Sequence, residues 1–213
     1  MKKFFVLGLL FILPIVAYLF FASGVNNFVR LPVLTSKIGT LTEMSSLTGD
    51  KINLQNKITI LGFLGNDIAH KKGNAFNLNQ KIYKRFYEFN DFQFVMIVPD
   101  SEENKKNIEE LTAELGELAD IKKWNFALGS ETTIREFFNS LQTDGQLDSD
   151  LGTDLVYIID KDRSLRGRKD NEVLYGFDAT SVAEINNKMV DDVKVILAEY
   201  RLALKKNNAY REK

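Results

Sequence analysis

Few residues in this chain can do chemistry on their own. It has one histidine, His70, and no cysteine among 213 residues. Without a thiolate, neither disulfide exchange nor thiolate attack can run on its own side chains. His70 closes the segment Asn66-Asp-Ile-Ala-His70, which follows a strongly apolar run. As a metal ligand it needs partners, and the nearest are Asn66 and Asp67. The same segment reads as a turn in which Asn or Asp bonds backbone amides. As a general acid or base, His70 has no neighbouring nucleophile or second catalytic group. Lys71 and Lys72 follow directly, and Lys161, Arg163, Arg166 and Arg168 form a second basic cluster. Both clusters suit an acidic partner or anionic lipid head groups. Both also read as solvated faces, since positive charge deters edge-to-edge sheet pairing. Asp148, Asp150, Asp154, Asp160 and Asp162 lack the spacing, glycine and terminal glutamate of a calcium loop. No phosphate-binding loop, dinucleotide fingerprint, nucleophile elbow or zinc motif occurs. The expectation is a protein that is not an enzyme, with no catalytic residue, no cofactor and only His70 as a weak metal candidate.

Those residues must be held by elements that the apolar pattern outlines. Ile58 to Leu64 is a continuous apolar run of strand length, as in a central strand covered on both faces. A turn follows it, and a helix is expected from Asn74 or soon after, with Ala75, Leu78, Ile82, Phe86 and Phe89 on one face. Phe92–Val98 reads as a second buried strand. Ser101 then opens a helix with the stripe Ile108, Leu111, Leu115 and Leu118. Trp124–Leu128 is a short strand, and Ser130 caps a helix carrying Ile134, Phe137, Phe138 and Leu141. Gln142–Gly152 is polar. Leu155–Ile159 is a third apolar strand, and Asp160–Ser164 turns it into Leu165–Arg168. A last helix is expected from about Thr180 to Lys206, capped by Asp178 or Ser181, with Val182, Ile185, Met189, Val193, Ile196, Leu197 and Tyr200 buried. Upstream, Ile38 to Leu54 alternates on both sides of Thr48-Gly49-Asp50-Lys51 and predicts a β-hairpin. Strand–helix–strand pieces imply parallel strands with right-handed crossovers, and the closing hairpin adds an antiparallel edge.

The N-terminus carries a different signal. Phe4 to Ser23 is an apolar run of twenty residues behind Lys2 and Lys3. A helix of that length spans about 30 Å, the hydrocarbon thickness of a bilayer. The two lysines keep the N-terminus in the cytoplasm. The rival is a cleaved signal sequence, whose apolar region is usually shorter, with Ala22-Ser23-Gly24 as a cleavage site. The expected organisation is an anchor or signal sequence over 1–25, a linker over 26–37, a globular domain over 38–207 and a tail over 208–213. The formal net charge of −1 offers no basic field for nucleic acid.

Taken in order, these pieces resemble the Sco family (SenC/PrrC-type proteins), membrane-anchored thioredoxin-fold proteins implicated in copper delivery to cytochrome c oxidase. The resemblance covers roughly residues 30 to 200. It rests on Leu31-Pro-Val-Leu, on the Ile58–Leu64 strand and on Val98-Pro99-Asp100. Trp124-Asn-Phe-Ala-Leu-Gly-Ser-Glu-Thr-Thr-Ile134 is similar to the family's Trp-x-Phe-Leu-Thr-Gly segment. Tyr157-Ile-Ile-Asp-Lys-Asp-Arg-Ser-Leu-Arg-Gly167 is similar to its strand, turn and returning strand. The fold implied is α/β, a thioredoxin-like (Sco-type) domain with an N-terminal transmembrane helix.

The family's functional residues do not carry over. Its copper site uses two cysteines four positions apart and a distant histidine. Asn66 and His70 stand at the cysteine positions, and Gly152, give or take one residue, stands at the histidine position. Copper(I) prefers soft thiolate or thioether ligands. Thioredoxin's cis-proline is also missing, the only prolines being Pro14, Pro32 and Pro99. The segment Lys169–Gly176 is longer than the family loop. What the resemblance implies is a redox-inactive interaction, assembly or accessory factor, tied to a respiratory (cytochrome oxidase) complex. It would sit in the bacterial inner membrane, single-pass, with its domain in the periplasm and a protein partner in the membrane or envelope. The alternatives are a copper carrier or redox accessory using His70, and an envelope interaction protein unrelated to respiration. In this fold the loops at one end converge, so Asn66, Asp67, His70, Lys71, Lys72, Thr153, Asp154 and Tyr175 are expected to form one partner patch.

Overall fold

Buried β-branched and aromatic residues dominate the central strands, and the sheet they build decides where every loop goes. The structure, a computed structural model, describes residues 2–22, 30–169 and 172–211. The strands are β1 (Val33–Thr35), β2 (Ile58–Leu64), β3 (Phe92–Pro99), β4 (Trp124–Gly129), β5 (Gly152–Ile159), β6 (Leu165–Arg166), β7 (Arg168–Lys169), β8 (Val173–Leu174) and β9 (Phe177–Asp178). The main sheet runs β1-β6-β5-β2-β3-β4, with β9 also paired to β5. β2, β3 and β4 are parallel, and β5 lies antiparallel to β2. β7 and β8 pair as a separate two-stranded ribbon. All seven residues of β2 are buried, as a strand covered on both faces must be.

The helices are α1 (Lys2–Ala22), α2 (68–86), α3 (Glu102–Leu118), α4 (Glu131–Ser140) and α5 (182–211). α2 contains a π-turn at Asn79–Tyr83, and α5 contains one at Ile185–Met189. Alternation along the strands splits the interior into two cores. On one face Ile60, Phe94, Met96 and Phe126 pack with Leu78, Ile82, Ile108, Leu115, Met189 and Ile196 from α2, α3 and α5. On the other, Phe63, Val95, Ile97 and Tyr157 pack with Ile134, Phe137 and Phe138 of α4. Serines cap α3, α4 and α5: the Oγ atoms of Ser101, Ser130 and Ser181 accept from the amides of Asn104, Thr133 and Glu184.

The hairpin expected over Ile38–Leu54 is not formed. That segment is irregular, joined to the sheet by a single bridge between Ser45 and Leu128. Its alternating apolar residues do not face a partner strand. Ile38, Leu41, Met44 and Leu54 are buried against the α4 side of the sheet, so core demand outweighs local pairing. α2 begins at Ile68, not at Asn74, because Asp67 caps it: the Asp67 Oδ1 accepts from the His70 amide at 3.0 Å. Phe89, Leu118 and Val182, expected in the buried stripes, are exposed at helix ends. The sheet takes Val33–Thr35 as its edge strand from the segment expected as linker.

In α1, with Pro14 inside it, the side chains of Leu10, Phe11, Ile12, Leu13, Ile15 and Val16 are exposed. Counted over the described residues, no helix is long and apolar enough to cross a membrane. Cleavage at Ala22-Ser23-Gly24 falls partly outside the described residues, and the tail expected over 208–213 is instead helical as far as Arg211, its last two residues lying outside the described ones.

Candidate functional site

The end of β2 delivers the chain into a turn that only glycine makes without strain. Gly65 has φ +69°, and a Cβ there would lie 2.5 Å from the carbonyl oxygen of Asp150. This close approach brings the loop before β5 against the start of α2. The Asn66 amide donates to the Asp150 carbonyl at 2.8 Å. Asn66 also accepts, through Oδ1, from Asn104 Nδ2 at 3.0 Å, and the same nitrogen donates to the Pro99 carbonyl at 2.9 Å. Asn104 is buried in the first turn of α3. Asn66 is therefore held from two sides, while Asp67 and His70 stand exposed on the first turn of α2.

Lys71 departs from the sequence expectation. It is 7% exposed, so it is not one of a pair of solvated surface lysines. Its Nζ lies 3.2 Å from Asp154 Oδ1 and 3.4 Å from Asp148 Oδ2. Asn74 Nδ2 also donates to Asp154 Oδ1, at 2.8 Å. Asp148 Oδ1 in turn accepts from the amides of Asp150 and Gly152, at 2.9 and 2.8 Å. The lysine stem fits because position 152 has no side chain: a Cβ on Gly152 would lie 2.5 Å from Lys71 Cε. A buried ammonium is tolerated when paired and hydrogen-bonded in this way. The cluster locks the 148–152 turn onto α2. Lys72, half-buried, pairs instead with Glu114 on α3.

The predicted patch is partly assembled. Asn66, Asp67, His70 and Lys71 share one turn, and Asp154 reaches them through Lys71 and Asn74. Thr153 pairs in register with Phe63 near the end of β2. The strand after Tyr175 joins the same end: Phe177 pairs with Val156, Asp178 pairs with Leu155, and the Ala179 amide donates to the Asp154 carbonyl at 2.8 Å. Tyr175 itself is half-buried and packs against the core that contains Phe63 and Tyr157. Asp170 and Asn171 of the long loop lie outside the described residues.

The second basic cluster is not a free cationic face. Arg166 is 4% exposed, donating to Asp160 Oδ2 at 2.9 Å, to Glu199 Oε2 at 2.6 Å and to the Leu31 carbonyl at 2.8 Å. Arg168 holds Asp192 through two hydrogen bonds, at 2.8 and 2.7 Å.

Of three residues that organise the site, Asn74 and Asn104 carried no functional reading in the sequence, and Asp148 was weighed only as a calcium ligand. Asp148-Ser-Asp-Leu-Gly152 did hold a signal, because an Asp followed by an Asp and a Gly favours a turn closed by side-chain bonds to backbone amides. Chemically, the site offers an exposed imidazole, an anchored amide and an ammonium neutralised by two carboxylates. Among the described residues, no group of three His, Cys, Asp or Glu could hold a metal ion. The copper ligand set does not fit these residues. Asn66 is engaged with Asn104, Gly152 offers no side chain, and the Lys71 stem lies directly against Gly152.

The sequence matches no family model and no curated protein. Solved structures do match. The chain is similar to BsSco, a member of the Sco family of cytochrome c oxidase assembly proteins, at TM-score 0.57 and 13% identity, covering 78% of this chain and 95% of that one. It is equally similar, at TM-score 0.57 and 17% identity, to a SCO1/SenC family lipoprotein from Bacillus anthracis, covering 79% and 99% of the two chains. A putative electron transfer protein from Aquifex aeolicus follows at TM-score 0.51 and 15% identity, covering 75% and 98%. At these identities the likeness shows the fold: a mixed α/β, thioredoxin-like domain of the form found in Sco proteins.

Proposed function

We propose that this protein is a membrane-tethered, thiol-free Sco-like domain that works by binding, as an assembly or accessory factor for a respiratory complex in the envelope. The observation that carries this reading is the Lys71–Asp148–Asp154 lock. It sits at the end of the sheet where the resemblance places a copper site, in a chain with no cysteine. A site closed by an internal ion pair favours a retained surface over a retained reaction. The link to cytochrome oxidase rests on the fold shared with BsSco and is an analogy.

The docking face is the exposed end formed by Asn66, Asp67, His70, Thr153 and Asp154, with Lys72 and Tyr175 at its margins. Lys71 lies beneath it as support. The bilayer reading draws on the apolar run Phe4–Ser23 and on the exposed apolar side chains of α1. The N-terminus lies in the cytoplasm and the domain in the periplasm. Carbonate washing should leave the protein in the membrane, and a tag after Lys213 should be reachable from the periplasmic side alone. Release of a soluble domain beginning near Val25 would instead mark a cleaved signal sequence. The function itself is tested by affinity purification from gently solubilised membranes. Oxidase subunits should co-purify with the wild type and be lost from a His70→Glu variant of unchanged melting temperature. Full-strength capture of the same subunits by that variant would show that this face is not the docking surface.

A further inference from the structure

At the opposite end of the strands, the free edge of β4 leaves part of its backbone unpaired. In β4 the odd-numbered residues bond inward to β3 and its flank: the Lys123 carbonyl accepts from Phe94 at 2.8 Å and the Gly129 carbonyl from Asp100 at 2.9 Å. The even-numbered residues therefore face outward. Leu128 does so visibly, since its N–H donates to the Ser45 carbonyl at 2.8 Å and its carbonyl accepts from the Ser45 N–H at 3.1 Å. That exchange is one antiparallel rung. It stops there because the chain turns back on itself, the Ser46 amide donating to the Asp50 carbonyl at 3.0 Å. Among the described residues, no strand lies beside the outward-pointing Phe126 N–H, Phe126 C=O and Trp124 C=O.

A groove of about 560 Å³ opens at this stretch of edge, between the 46–53 segment and Trp124, Asn125 and Phe126. It touches both faces of the strand. Trp124 and Phe126 belong to the first core, while Asn125 and Gln93 lie by strand alternation on the opposite face, as polar positions bordering the second core. Two of its lining residues, Thr112 and Trp124, carry buried Oγ1 and Nε1 atoms with no hydrogen-bond partner among the described residues. Five charged side chains line it. Lys122 pairs with Asp120 at 2.9 Å and Asp50 accepts from Thr48, but Lys51 and Lys57 pair with no carboxylate among the described residues.

We propose that this groove receives an extended segment of another polypeptide, laid antiparallel along Trp124–Phe126 as a continuation of the Ser45 rung. Main-chain bonds supply the affinity of such strand addition, and pockets for alternate side chains supply the selectivity. The two faces of the groove set the chemistry of the segment. Apolar side chains pack toward Trp124 and Phe126, and the intervening acidic side chains meet Lys51 and Lys57. This surface is separate from the docking face at Asn66–His70, and the two stand or fall independently.

The full-length protein in detergent micelles is titrated with a capped seven-residue peptide alternating valine and glutamate. Parallel titrations use two versions N-methylated at alternate amides, one in each frame, and a valine–lysine version. Binding is read by fluorescence anisotropy and by hydrogen exchange at the Phe126 amide. The valine–glutamate peptide should bind and slow that exchange. N-methylation in one frame should weaken it at least tenfold, while the other frame changes little, because only one edge of an added strand bonds to β4. Lys57→Glu, with an unchanged melting temperature, should reverse the preference in favour of the lysine peptide. No binding at millimolar peptide, equal tolerance of both N-methylated frames, or protection of Phe126 by self-association in the absence of peptide would each overturn the proposal.

Discussion

Lys71 shows how one buried charge changes the meaning of a loop. Its ammonium is shielded, but Asp148 and Asp154 are about half exposed, with side-chain accessibilities of 45% and 52%. Breaking a fully buried pair costs roughly 3–5 kcal/mol, and exposed carboxylates rehydrate, so Lys71→Met should cost about 1–3 kcal/mol in urea unfolding. Lys71→Glu should cost more, because it brings a third carboxylate to the same turn. Tyr157 makes a second prediction. It is wholly buried, its hydroxyl faces the Thr143 side chain without closing a hydrogen bond of full geometry, and burial pushes its phenol up from 10.0 to about 12. The unfolded phenol loses its proton near pH 10, while the folded one keeps it to about pH 12. The unfolded state therefore binds fewer protons in that window, and stability falls as pH rises through it. Tyr157→Phe should be within about 1 kcal/mol of wild type at pH 7, since it removes a buried hydroxyl with no well-formed hydrogen bond. It should also flatten the loss of stability between about pH 10 and 12, as followed by urea melts at each pH.

Elements, rather than single contacts, present the candidate face. α2 starts at Ile68 because Asp67 caps it, and that early start turns His70 outward and Lys71 inward. α3 contributes through its cap. Ser101 accepts from the Asn104 amide at 3.1 Å, and the Asn104 side chain in turn holds Asn66. Ser101→Ala should lower stability by about 1 kcal/mol, the usual worth of such a cap. Amide exchange at Asn104 should rise with it, and exchange at Asn66 should follow if α3 positions that turn. Unchanged exchange at Asn66 would show that the Asp150 carbonyl holds it alone.

Across the whole molecule, one buried ion cluster ties together regions far apart in the chain. Arg166 joins the Leu31 carbonyl ahead of β1, Asp160 after β5 and Glu199 on α5. Arg166 and Asp160 are almost fully shielded, with side-chain accessibilities of 5% and 3%. Arg166→Met leaves Asp160 charged and buried, so it should cost about 3–5 kcal/mol by chemical denaturation. Removing both partners with Asp160→Leu in the same chain should recover part of that loss, because the orphaned charge is then gone. The cluster also holds the residues just ahead of β1, together with the β1–β6 pairing, and limited proteolysis near Leu31 should accelerate in Arg166→Met.

The amino-acid sequence by itself determined the order of the main strands and helices from residue 58 to the final helix, though not the short strands at Val173–Leu174 and Phe177–Asp178, and it determined the helix starts at Ser101 and Ser130 and the covering of the central strand on both faces. These are local properties, because period, length and capping residues are read over a few neighbouring positions. It also determined the absence of thiol chemistry, which is a matter of composition. Tertiary structure decided what the alternating residues of Ile38–Leu54 do. They serve a core built by strands far away in sequence, and no local pattern separates that use from a hairpin. It decided the fate of the charges as well. Lys71 next to Lys72, and Arg166 next to Arg168, read alike along the chain, yet one member of each pair is buried against carboxylates up to 83 positions distant. Which charge meets a partner depends on which strands lie side by side, and that register is set by the packing of the whole sheet.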